Sequence, residues 1–194
     1  MKKHAKSLAT AVLATLAACG GGAKESPIGE GWGEGKRPPE VRLKVIRADA
    51  PRETPALTEA EAAAAARDRM AFGLHLYGLA KGDGNTVVSP TSITLALGML
   101  YGGSSGAAAE GLTKAMYQSL PPERFHASLN VLDAALASRG AGITKGSARL
   151  ALANQVFARG VSAPYLDLLA RHYGTGVADI AGLEPPAVLK LVND

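Results

Sequence analysis

Residues 85–103 read N-T-V-V-S-P-T-S-I-T-L-A-L-G-M-L-Y-G-G, without one charged side chain. About 20 apolar residues cross a bilayer, so a membrane span is the first reading to test. The run fails that test. Ser89 and Ser92 flank Pro90 as a helix start, and Gly102 and Gly103 close the segment. What lies between is a helix of roughly three turns, too short to span. Ile93, Leu95, Leu97, Met99 and Leu100 cover every side of it, which suits the middle of a globular core. The chain must therefore supply a sizeable body around this helix.

At 194 residues, 47% hydrophobic and 20% charged, the composition is that of one ordinary globular domain with appendages. The formal charge of +4 invites a nucleic-acid reading, but Lys2, Lys3 and Lys6 lie in a segment that looks removable. Without them 18 basic residues face 17 acidic ones, and no basic stripe with interleaved aromatics occurs. A near-neutral chain gains little from counterion release, so no nucleic-acid partner is expected.

That N-terminal segment has a positive start over residues 1–6 and an apolar stretch over 7–18, the pattern of a secretory signal. Leu16-Ala17-Ala18-Cys19 follows and resembles a bacterial lipoprotein signal, in which the cysteine is acylated and becomes the mature N-terminus. An ordinary signal peptide ending near a chance cysteine is the alternative. The lipid reading accounts for an exported chain without a disulfide, since one cysteine cannot form one internally. More than one acyl chain, at roughly 0.8 kcal/mol per buried methylene, anchors stably. The expected location is the cell envelope, lipid-anchored to the outer membrane or cell surface. Gly20, where an aspartate would favour inner-membrane retention in lipoproteins of this kind, points outward.

Three segments are thus expected: a signal peptide at 1–18, a lipidated N-terminus and flexible tether at 19–56, and a folded domain at 57–194. A flexible coil of roughly 35 residues reaches about 30–35 Å, enough to clear the lipid headgroups. Val41, Leu43, Val45 and Ile46 alternate weakly, which fits either a short strand or a solvated tether.

Thr58-Glu59-Ala60-Glu61 is a capping box with Leu57 at the staple position. The helix it starts carries Phe72, Leu76 and Leu79 on one expected buried stripe and ends before Lys81-Gly82-Asp83-Gly84. After the residue 90–100 helix, a third is expected over 107–116, with Leu112 and Met116 inward. A fourth starts at Pro121-Pro122, its seam formed by Phe125, Leu129, Leu132 and Leu136. Residues 140–146 read as a loop. The period then drops to two over residues 150–157, which predicts a strand buried on both faces. A fifth helix over 164–173, a strand over 176–181 and a helix from Ala187 complete the reading. The fold class is α+β.

Four stretches give this body a family look. Residues 70–77, M-A-F-G-L-H-L-Y, are similar to the first helix of serpins. Asn85, Ser89, Pro90, Ser92 and Ile93 resemble the family's Asn-x-x-x-Ser-Pro-x-Ser-Ile signature, which Leu97-Gly98-Met99-Leu100-Tyr101-Gly102-Gly103 continues. Residues 152–157, with Asn154 and Phe157, resemble its central sheet strand. Residues 169–177 resemble the next helix and turn, and Leu191-Val192-Asn193-Asp194 the family's Ile-Asn-x-Trp-Val motif. Departures are Ala108, where a threonine is common, and Ala178-Asp179-Ile180-Ala181, in place of a Val-Asp-Phe ending.

The resemblance implies the N-terminal helical half of a serpin, with two strands of the main sheet and truncation before the remaining sheets and reactive loop. It implies structural roles for Asn85, Ser89, Pro90, Ser92, Gly103, Asn154, Phe157 and Asn193, the serines controlling how readily the sheet opens. Read from its position alone, Ser89 is equally a simple helix cap. A serpin inhibits when a protease cleaves its reactive loop and the loop inserts into the sheet. No reactive centre is found in these residues, so proteases are expected partners only of a complete chain. The other reading is a lipid-anchored, non-inhibitory binding or scaffold module.

An enzyme is not expected, because His4, His75, His126 and His172 are scattered and no Gly-x-Ser-x-Gly or Ser-x-x-Lys motif occurs. No catalytic or metal-ligating set and no cofactor is assigned. His75 and His126 read as residues of amphipathic helices, His172 as a favourable charge at a helix C-terminus, and Glu59, Glu61 and Asp68 as a solvated face. A protein starting at Leu57 is expected to aggregate or bind apolar dyes through uncovered helix and strand surfaces.

Overall fold

A computed structural model describes residues 44–139 and 154–193, with side chains as far as Leu189. The signal region, Cys19, the loop over 140–146 and the first part of the expected 150–157 strand lie outside the described residues. The described elements are β1 (Val45–Ile46), α1 (Glu59–Ala80), α2 (Pro90–Gly102), α3 (Ala107–Ala115), α4 (Pro122–Arg139), β2 (Val156–Ala158), α5 (Ala163–Leu168), β3 (Val177–Asp179) and α6 (Pro185–Asn193). The fold is α+β, mostly helical, with a three-stranded sheet in the order β1-β3-β2.

The chain divides into two compact units, one spanning 46–156 and 161–177, the other the remaining stretches, which include 157–160 and 178–193. In the first unit, α1 begins as its capping box dictates. The Glu61 amide donates to Thr58 Oγ1 at 3.2 Å and the Thr58 amide donates back to Glu61 Oε2 at 2.8 Å. Phe72 is buried, but Leu79 is 73% exposed, against expectation. The side-chain partners of α1 explain why: Arg124 meets Glu61, Ser119 meets Asp68 and Pro90 abuts Gly73, all before Leu76.

Helix α2 lies in the core, with Thr94, Leu95, Gly98 and Met99 buried and Ala96 alone exposed between Thr91 and Gly102. It runs two residues past Leu100. Leu95 packs with Met116, Phe125 and Leu129, and Tyr101, Leu112 and Tyr173 close around them. Helix α4 was expected to bury one seam, yet it buries every residue from Phe125 to Asn130. Its polar side chains there find partners, so full burial is tolerated.

The expected fifth helix is two structures in sequence. After α5 the backbone widens into a π-helical turn, Leu169–Tyr173, ended by Gly174 at φ +62°. The weak alternation near residue 45 resolves as a strand at Val45–Ile46. Further along the stretch read as tether, Arg47, Arg52 and Glu53 hydrogen-bond to residues beyond position 129.

Both later strands are shorter than expected. Asn154 and Gln155 are not in a strand, Gln155 is exposed, and Val156–Ala158 is half-buried rather than covered on both faces. Gln155 instead donates its side-chain amide to the Gly176 carbonyl at 3.0 Å. β3 stops at Asp179, where the carboxylate accepts from the Ala181 amide at 2.9 Å and turns the chain. Helix α6 starts at Pro185, two residues before Ala187, because proline fits a first helical turn.

Candidate functional site

Helix α2 and the groups buried against it form the candidate site. Ser89 is its N-cap: Ser89 Oγ accepts from the Ser92 amide at 3.4 Å and lies 2.8 Å from Ser92 Oγ. Pro90 occupies the first turn, where its missing N–H is no loss. Ser89 is exposed and Ser92 half-buried. Asn85 is exposed on the preceding loop.

Gly103 caps the other end of α2 with an ordinary negative φ, so backbone conformation does not demand glycine. Space does. A Cβ there would stand 3.2 Å from the Tyr165 ring, whose hydroxyl donates to the Met99 carbonyl at 3.0 Å. Gly98, one turn earlier, is tighter: a Cβ would strike the Leu129 methyl and come within 2.8 Å of Tyr173 Oη.

Asn154 lines a cavity of about 310 Å³ with Leu95 and Met99 of α2, Asp133 of α4, Gln155, Tyr173 and Thr175. The structure thus groups Ser89, Pro90 and Ser92 at one end of α2, Gly103 at its other end, and Asn154 beside its middle. Phe157 is the half-buried central residue of β2, and Asn193 is the last residue of α6.

A cluster that the sequence did not reveal lies behind α2. His126 is 3% exposed, with Nδ1 2.7 Å from Tyr173 Oη. Its ring stacks between Tyr101 and His172, at centroid distances of 5.6 and 5.8 Å. Burial first, and His172 second, push its pKa down to about 4, so the imidazole is neutral at pH 7. Burial holds the Tyr173 phenol well above its ordinary range and raises Tyr165 to about 12. His172 is also lowered, chiefly by burial, which corrects its expected role as a cation at a helix end. Glycines at positions 98 and 102 were the available signal, since small residues on α2 make room for large neighbours.

Other expectations change in the same way. Glu61 is not merely solvated: its hydrogen bond from Arg124, then that from the Thr58 backbone, lower its carboxyl to about 2. Asp68 accepts from the amide and hydroxyl of Ser119, each at 2.8 Å. Among the described residues no group of three metal-ligating side chains forms, and no helix is long and apolar enough to cross a membrane.

This arrangement offers packing and a neutral, hydrogen-bonded interior. In comparison with protein families the chain matches Serpin (serine protease inhibitor) over residues 67–194. The chain belongs to the serpin family. Comparison with curated proteins finds no match.

Proposed function

We propose that residues 57–194 are the helical base of a serine-type endopeptidase inhibitor. In this reading the base supports the sheet that accepts a cleaved reactive loop, and the loop belongs to residues outside these 194. The family match carries it. The buried α2 supports it, because a helix packed through Leu95, Gly98 and Met99 is a rigid floor beside which a sheet can rearrange. Asn85, Ser89 and Ser92 would tune that rearrangement from the α2 N-terminus. Proteases are then the partners of the complete inhibitor.

The test is a panel of trypsin-like, chymotrypsin-like and subtilisin-like proteases incubated with the 194-residue chain. Protease activity should be unchanged, with no complex surviving denaturing electrophoresis. A stable complex formed by these residues alone would overturn the proposal. A protein that instead bound a partner without blocking proteolysis would favour the scaffold reading.

We further propose export and lipid attachment at Cys19, on the basic start, apolar stretch and Leu-Ala-Ala-Cys sequence before it. Cells fed a clickable fatty acid should label the wild-type chain and not Cys19→Ala. Equal labelling of both would refute it.

A further inference from the structure

Asp83-Gly84 is the only Asp-Gly pair in the sequence, and no Asn-Gly occurs. It lies in the connection between α1, which ends at Ala80, and α2, which starts at Pro90. Residues 81–85 are all exposed, and the chain bends at Asp83 and Gly84. Both neighbouring helices are closed without this pair: the Lys81 amide donates to the Tyr77 carbonyl at 2.9 Å, and Ser89 caps α2. Between those caps the Gly84 amide and the Asp83 carboxylate have no hydrogen-bond partner among the described residues. A Cβ added at Gly84 would meet nothing within 4 Å, and its φ lies outside the left-handed region.

The other aspartates among the described residues are placed differently. Asp68, Asp133 and Asp167 lie within helices, where their carboxylates accept from Ser119, Arg52 and Arg171. Asp179 accepts from the Ala181 amide. Asp49 precedes Ala50, whose Cβ stands beside its own amide nitrogen. An aspartyl carboxyl reaches the next amide nitrogen only where the backbone between them can turn and that nitrogen is unshielded. A helix fixes the backbone and engages the amide, and a Cβ crowds the nitrogen. Asp83-Gly84 escapes both restraints.

We propose that Asp83-Gly84 is a self-modification site, at which the exposed connection between α1 and α2 converts to a β-linked isoaspartate. The Gly84 amide nitrogen attacks Cγ of the Asp83 carboxyl group in its acid form. The N–Cγ bond forms, a C–O bond of the carboxyl breaks, and the amide hydrogen leaves with the hydroxyl as one water. The five-membered imide then takes up one water at the Asp83 main-chain carbonyl, which becomes a free carboxylate. Gly84 is left joined through the side-chain carbonyl. Nothing is oxidised or reduced, water is the sole co-reactant, and the main chain gains one carbon. Residues 81–88 absorb that carbon, because an exposed connection tolerates a change of length, and α2 keeps its Ser89 cap.

The test is incubation of the folded full-length chain at neutral pH, followed by peptide mapping with electron-transfer fragmentation, which separates the two linkages at equal mass. Isoaspartate should accumulate at position 83, preceded by a species lighter by one water, and not at Asp49, Asp68, Asp133, Asp167 or Asp179. Gly84→Ala places its methyl in open space, so it folds, and it should lose the product. Hydrogen exchange at the Met99 amide should be the same before and after incubation. The chain unfolded in guanidinium chloride supplies the rate of an unrestrained bond. A folded chain that stays unmodified while the unfolded one converts would overturn the proposal, because the fold would then lock the bond. Equal yields in wild type and Gly84→Ala, or at Asp83 and Asp49, would overturn it as well.

Discussion

His126 shows how far one residue can depart from the character of its type. A histidine on a helix with an apolar seam reads as a surface residue, yet its ring is enclosed by Tyr101, Phe125, His172 and Tyr173. Its folded pKa of about 4 lies below the ordinary 6.5, so between those values the unfolded chain binds the extra proton. Stability must then fall as the pH drops from about 6.5 toward 4, by up to about 3 kcal/mol in the limit. His172 is shifted in the same direction and adds to the slope. Glu61, lowered from 4.5 to about 2, loses its stabilising contribution between those values, so it does not mask the loss seen between pH 7 and pH 5. Denaturant melts of His126→Asn at pH 7 and pH 5 should show a smaller loss on acidification than the wild type. An identical loss in both would refute the assignment to His126.

Among the elements, α1 was the most legible and also the most misleading in one respect. Its start is local chemistry, because Thr58 and Glu61 satisfy each other three residues apart. Its faces are not local. Met70, Leu74 and Tyr77 recur at helical spacing and are 65%, 66% and 49% exposed, while Leu79, near the end of the helix on another face, is 73% exposed. Such a stripe on a single helix is a sticky surface. Protein starting at Leu57 should enhance the fluorescence of an apolar dye at neutral pH, and Leu74→Lys should reduce that signal. A sharp cooperative melt of a monomer without dye binding would show that this surface is covered.

The α5 segment failed differently. Its period predicted one regular helix, but Leu169–Tyr173 takes the wider π form. Nothing in those five residues required it. The wide turn presents the Arg171 carbonyl to Asn130 and Glu53, partners far away in sequence.

For the molecule as a whole, the family and the order of the main helices are legible in the sequence. The Ser89-Pro90-Thr91-Ser92 start, the capping box and the apolar content of α2 each specify their structure within a few neighbouring residues. Helix starts and hydrophobic periods are local properties, so a sequence can declare them. The enclosure of His126, the neutrality of His172 and the anchoring of Arg52 on Asn130 and Asp133 depend on which helices meet. Burial sets those pKa values and distant pairing satisfies those hydrogen bonds. Both come into being only when residues many positions apart share one interior, and there the tertiary structure alone decided.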